Sequence, residues 1–250
     1  MTGLGFKDEL SPGGRGGGIR RGIGTGYAEG QAMEEEETKA TIVYDNEVKS
    51  GKLKAGWGFS CLIETKEAPS ILFDTGADSP TLLHNMKELD IDPKRVGKIV
   101  ISHTHGDHTG GLRGMLEVNK EAEIYVPASF WGTIPGRKVT TVTGPLQISD
   151  GVFSTGELRG IEQSLAIRTS RGILIVVGCS HPGLGEIMNA GSRFGKLIGI
   201  AGGFHGFHDF GLFEKLSIIY PCHCTQYKRE ILDLFPGKAF RCGAGLGIEL

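Results

Sequence analysis

The sequence predicts an α/β chain built on two mixed β-sheets covered by helices. From Thr41 onward, short β-branched runs alternate with helical patterns. Some of the spacings suit hairpins and others suit strand-helix-strand crossovers, which argues against one parallel sheet. No repeat recurs at a fixed period.

Taken in order, the predicted strands are 41–44, 58–64, 70–73, 98–101, 123–126, 138–142, 164–169, 173–177, 196–200, 217–220 and 238–241. Helices are predicted over 79–89, where Ser-Pro marks the start, and over 110–119, 184–193, 210–216 and 225–234. Ahead of them, residues 1–39 hold 11 Gly and a run of four Glu from Glu34 to Glu37, with little to bury. This composition predicts a disordered extension over 1–39 and a folded domain over 40–250. Met33 directly precedes the acidic run and is the expected biological start.

Composition excludes several functions. The longest apolar run, 172–179, is far below the roughly 18 residues of a membrane span, so no membrane partner is expected. A formal net charge of -2 provides no basic face for a nucleic-acid backbone. Five Cys are scattered along the chain without a secretory start, so a disulfide framework is not expected and the compartment reads as cytoplasmic and reduced. Oligomeric state is not legible.

The chemistry concentrates in KIVISHTHGDHTGGL, Lys98 to Leu112. A buried strand runs into His103, His105, Asp107 and His108, four potential ligands within six positions. In an extended segment His103 and His105 face the same side. A turn at Gly106 would bring Asp107 and His108 toward a neighbouring point, and the Gly110-Gly111 pair would let a helix begin. Imidazoles beside a carboxylate suit zinc, with manganese or iron as alternatives, and the spacing favours two adjacent cations. Two further His follow apolar strands: His181 in ILIVVGCSHPG and His223 in SIIYPCHCT. Asp74 closes the strand in ILFDTG. Cys179, Cys222 and Cys224 sit at strand ends, where small buried packing residues are expected.

His-X-His-X-Asp-His after a strand resembles the signature of the metallo-β-lactamase superfamily, which implies a four-layer αββα sandwich with its metal site along one sheet edge. By that resemblance His103, His105 and His181 would hold one cation, and Asp107, His108 and His223 a second. Asp74 would orient the metal loop by hydrogen bonding. One departure stands out: where the family places a bridging Asp after the strand-terminal Gly, Gly178 is followed by Cys179. Cys179 as a thiolate, Glu162, or solvent alone remain open as the bridge. YDNEV, FSCLIE, EQSL, GCSHPG, GGFH and PCHCT, over Thr41 to Leu250, further resemble a branch of 7,8-dihydropterin-6-ylmethyl-4-(β-D-ribofuranosyl)aminobenzene 5'-phosphate synthases. That resemblance implies a small phosphorylated pterin or aminobenzene riboside substrate from methanopterin biosynthesis.

The expected activity is thus metal-dependent hydrolysis or transfer, with activated water and a polarised phosphoryl or carbonyl group. Asp107 would accept a proton, and His205 would contact substrate or serve as an acid. His84 and His208 match no motif and are expected at the surface. A di-iron oxidoreductase would call for a flavin domain, a nuclease for a clamp domain and a basic groove. A non-catalytic binding module would have no reason to gather the His103 to His108 ligands.

Overall fold

In the computed structural model, residues 38–66 and 68–250 are described. The predicted extension and the start at Met33 lie outside them, save Thr38 and Lys39. The chain forms the αββα sandwich expected, with two mixed sheets and helices on both outer faces.

The first sheet contains β1 (Lys39–Tyr44), β2 (Ser60–Glu64), β3 (Ser70–Phe73), β4 (Val96–Val100), β5 (Glu123–Pro127) and β6 (Val139–Val142). The second runs through β7 (Leu146–Ser149), β8 (Val152–Ser154), β9 (Leu165–Thr169), β10 (Gly172–Val177), β11 (Leu197–Gly203) and β12 (Ile218–Cys222). The chain then returns to the first sheet as β13 (Gly247–Glu249), giving the order β13-β1-β2-β3-β4-β5-β6 against β12-β11-β10-β9-β8-β7. Each sheet is half meander and half crossover. β3 to β6 pair in parallel, as do β10 to β12, while β1-β2-β3 and β7 to β10 pair antiparallel.

Central strands are apolar on both faces because each face is covered. Ile42, Phe73, Val100, Leu174 and Val176 belong to the core between the sheets. Leu72, Ile99 and Ile124 pack outward with Leu82, Met86 and Met115, which come from α1 (Ser79–Glu88) and, beyond the short α2 (Gly106–Thr109), α3 (Leu112–Val118). Ile173, Ile175 and Ile200 pack beneath α4 (Leu184–Gly191) and α5 (Lys228–Leu234). Each fully buried aliphatic side chain contributes about 1.5–3 kcal/mol relative to exposure. Asp78 caps α1 by accepting from the Thr81 N–H at 2.7 Å, and Pro80 needs no partner in the first turn.

Several sequence expectations change. Lys238–Arg241 is not a strand; Ala239 makes one isolated bridge to Ile219, because the segment only skirts the edge of β12. The helix expected over 210–216 is a single 3-10 turn at Phe210–Phe213, whose rings pack inward from both ends. Cys222 and Cys242 form a disulfide with Cα atoms 5.2 Å apart, contrary to the reduced state expected. The return of the chain toward β13 brings them together, a proximity that spacing along the sequence does not encode.

The helix expected from Gly110 is divided. α2 already starts at Gly106, and Gly110-Gly111 instead permit close approach to the segment after β3. A Cβ at Gly110 would lie 1.9 Å from the Ala77 carbonyl oxygen, whereas one at Gly106 would meet nothing within 4 Å. Gly110→Ala should therefore lower stability by about 1–3 kcal/mol or more, as overpacking against backbone does. Gly106→Ala should remain within about 0.5 kcal/mol. Urea unfolding of the two variants checks this contrast, and equal midpoints would contradict it.

Candidate metal centre

Six strands release their C-terminal ends onto one edge of the sandwich. Just beyond β1, β3, β4, β10, β11 and β12 lie Asp45, Asp74, His103, Cys179, His205 and His223. Clefts at the carboxyl ends of parallel strands are where open α/β sheets bind ligands. Four of the residues that turn the chain here, Asp74, Ser180, His205 and His223, have φ of 59°, 60°, 43° and 42°. Left-handed backbone at non-glycine residues costs on the order of 1 kcal/mol each and collects at functional sites.

The β4 loop is held from below by Asp74. Its carboxylate accepts from the Ser102 N–H and hydroxyl, both at 2.7 Å, and lies 2.7 Å from His108 Nδ1. Asp74 and His108 are fully buried. Burial opposes charge on His108, but the Asp74 carboxylate outweighs it and raises the imidazole above its ordinary value. The Ser102 hydroxyl also reaches His103 Nδ1 at 2.8 Å, so Nε2 of both rings is left facing the centre. His103 Nε2 lies 3.1 Å from His105 Nδ1, and His108 Nε2 lies 3.1 Å from Cys179 Sγ. Burial, then neighbouring imidazoles, pushes His103 far down, so it is neutral and fit to offer a lone pair.

From the second sheet, the His181 ring stands 4.7 Å from that of His103, 4.8 Å from His105 and 4.6 Å from His205. Burial holds His181 down at about 4, with His205 adding to the effect. His223 Nε2 lies 3.2 Å from Asp107 Oδ2 without the alignment of a hydrogen bond. Burial alone would raise Asp107, yet the nearby His223 and His108 imidazoles keep its carboxyl well below the usual range. The structure thus brings together His103, His105, Asp107, His108, His181, His205 and His223. It leaves His84 and His208 on the surface, each against a backbone carbonyl.

Glu162, one candidate for the missing anion, is occupied elsewhere. Its oxygens accept from the backbone N–H groups of Cys179, Ser180 and His181 at 2.9, 3.1 and 2.9 Å. It shapes the loop after β10 rather than facing the imidazoles. Cys179, in contrast, sits at the centre: its Sγ groups within 4.8 Å with His103 and His108, with His181 and His205, and with His223 and Cys224. The sequence had left Cys179 open as a thiolate bridge, whereas Cys224 was expected only to pack at a strand end.

Sequence reasoning also passed over Asp45 and Asn46. Asp45 accepts from the His223 N–H at 2.9 Å, while Asn46 accepts from the Gly58 N–H and meets His223 Nδ1 at 3.0 Å. Their signal was a polar pair directly after a buried strand. Trp57, 63% exposed, packs edge-on to His223 with centroids 5.2 Å apart. Beside the β4 loop a cavity of about 510 Å³ is bounded by Thr104, Thr109, Leu112, Phe130, Trp131 and Ile134.

The donor set and its geometry fit divalent cations. Nε2 of His181, His205 and His223 is buried without a hydrogen-bond partner in each case, a costly arrangement that a cation or substrate would relieve.

Fold and site together define a chain with the metallo-β-lactamase fold, and a family model described as the metallo-beta-lactamase superfamily matches residues 57–130. The sequence is 29% identical over 241 residues to the 7,8-dihydropterin-6-methyl-4-(beta-D-ribofuranosyl)-aminobenzene-5'-phosphate synthase of Methanocaldococcus jannaschii, covering 69% of this chain and 82% of that protein. The resemblance seen in the sequence motifs is borne out at both levels. A solved structure of a metal-dependent hydrolase of the beta-lactamase superfamily superposes with a TM-score of 0.66 at 24% identity, covering 85% of this chain and 99% of the other. Ribonuclease Z of Lactiplantibacillus plantarum shares 30% identity over 97 residues, 39% of this chain and 26% of that enzyme. Among the described residues, no helix is long and apolar enough to cross a membrane.

Proposed function

We propose that this protein is a metal-dependent enzyme of methanopterin biosynthesis that acts on a phosphorylated pterin or ribofuranosylaminobenzene substrate, either transferring the pterin group to the aminobenzene riboside with loss of diphosphate or hydrolysing the phosphorylated group. Its supporting observation is the convergence of unpartnered buried imidazole nitrogens from His181, His205 and His223 on the His103-His105-Asp107-His108 loop. His103, His105 and His181 would hold one divalent cation, and Asp107, His108 and His223 another, with zinc the first choice and manganese or iron alternatives. When bound, a cation pair supplies Lewis-acid polarisation of a phosphoryl or carbonyl oxygen and acidifies water.

The remaining work falls to the protein's own groups. Asp74 and Ser102 orient His103 and His108. Asp107, held ionised and 21% exposed, takes a proton from the attacking group at a carboxylate oxygen. His205 Nε2 gives a hydrogen bond to the leaving group. The apolar cavity walled by Phe130 and Trp131 accepts the flat ring of the substrate and excludes water from it. The relative's name supports the substrate class, and its coverage of most of both chains supports carrying that class over.

The test uses metal-loaded protein with a dihydropterin diphosphate and an aminobenzene riboside phosphate, together and singly. Joint consumption with release of diphosphate is the expected result. Phosphate or diphosphate release from one substrate alone would make the reaction hydrolytic. No turnover of either, by protein shown by elemental analysis to carry metal, would remove the substrate assignment.

A further inference from the structure

Two thiols lie inside the imidazole cluster rather than in the apolar core. Cys61, the third free cysteine, packs between the sheets among Ile42, Phe73 and Val100, as a small apolar residue does. Cys179 and Cys224 belong to none of the three hydrophobic clusters, although both are buried. Cys179 Sγ stands 3.1 Å from His108 Nε2 and 3.3 Å from Cys224 Sγ. The two sulfurs and a His223 ring nitrogen all lie within 4.8 Å of one another.

Backbone contacts make this spacing a property of the fold. The Gly203 N–H donates to the Gly178 carbonyl at 3.1 Å, the Phe204 N–H to the Thr225 hydroxyl at 2.9 Å, and the Gln226 N–H to the His205 carbonyl at 2.9 Å. These bonds lace together the loops after β10, β11 and β12. Gly203 also leaves room for sulfur, since a Cβ there would fall 2.6 Å from Cys224 Sγ. Tetrahedral zinc with Zn–S bonds of about 2.3 Å separates two sulfurs by about 3.8 Å, so movement of about half an ångström would convert the pair into ligands.

We propose that Cys179 and Cys224 are paired thiolate ligands beside His223. They make one position of the centre sulfur-rich and selective for thiophilic cations, zinc, cobalt(II) or cadmium, over manganese or magnesium. Each thiol releases its proton to solvent as its sulfur binds, so no oxidant or reductant takes part. The assignment rests on the metal-binding reading above and adds to it a donor that the superfamily signature does not supply, Cys224.

Cobalt(II) titration of the metal-stripped full-length protein tests the two separately. Visible ligand-field bands report bound cobalt, and near-ultraviolet thiolate-to-cobalt charge transfer reports sulfur ligation. The wild-type protein should show both; the charge-transfer band should fall about twofold in Cys179→Ser and in Cys224→Ser and vanish in the double variant, while Cys61→Ser leaves it unchanged. Cadmium should displace manganese from the wild-type protein and lose that advantage in the double variant. Visible bands without charge transfer would overturn the sulfur proposal and leave the metal reading standing. Full intensity in Cys224→Ser would overturn the role of Cys224, and absence of any cobalt binding would overturn both. Should the variants fail to fold, X-ray absorption of the wild-type zinc protein decides the question: two sulfurs at about 2.3 Å support the pair, and an all nitrogen and oxygen shell refutes it.

Discussion

Asp74→Ala is expected to lose about 3–5 kcal/mol of folding stability in urea or guanidinium unfolding, and with it at least tenfold in metal affinity. The carboxylate is fully buried and serves three groups at once: the Ser102 N–H, the Ser102 hydroxyl and His108 Nδ1. Removing it leaves an N–H and an imidazole buried without their partner, the costly way to disrupt a polar network. The backbone adds to the loss, because φ is 59° at this position and alanine tolerates that conformation less well than aspartate or asparagine. Asp74→Asn should fall between the two, keeping the left-handed tolerance and one acceptor while losing the charge. Wild-type stability in Asp74→Ala would show that the β4 loop is held by something else.

His105→Ala and Asp107→Ala should behave in the opposite way. Both lie on the solvent side of the site, His105 exposed and Asp107 half-buried, and neither supports a core strand. Their unfolding midpoints measured without metal should stay within about 0.5 kcal/mol of wild type. Bound metal and turnover should nonetheless fall at least a hundredfold, the upper range seen for groups that merely orient a ligand. Elemental analysis alongside unfolding separates the two effects. Full activity in Asp107→Ala would sink the two-cation arrangement.

Much of this architecture was legible because its signals are local. The apolar runs that became β3, β4 and β10 are bounded by turns, and their ends carry His, Asp or Cys where a buried strand meets a loop. β7 and β8 were missed because LQIS and VFS are short and half polar and are joined by the tight turn at Asp150-Gly151. The 238–241 segment has strand-like composition but finds only one bridging partner. The His103 to His108 cluster is contiguous and could be recognised as a unit. Asp45, Asn46 and Cys224 act across separations of 178, 177 and 45 residues, so only the folded chain shows what they touch. The left-handed turns at Asp74, His205 and His223 were equally hidden, since none is a glycine.

The placement of the site across two sheets carries one more consequence. The β4 loop comes from the amino-terminal half, and the loops after β10, β11 and β12 come from the other, so an ion held by both, as proposed, would act as a rivet between halves that also meet through apolar contact and a few hydrogen bonds such as Asp45 to the His223 N–H. Because an unfolded chain cannot gather those donors, ion occupancy and sheet docking draw on one free energy, about 4 kcal/mol at a thousandfold excess over the dissociation constant. Scarcity of the ion would accordingly loosen the seam between the halves as well as silence the chemistry.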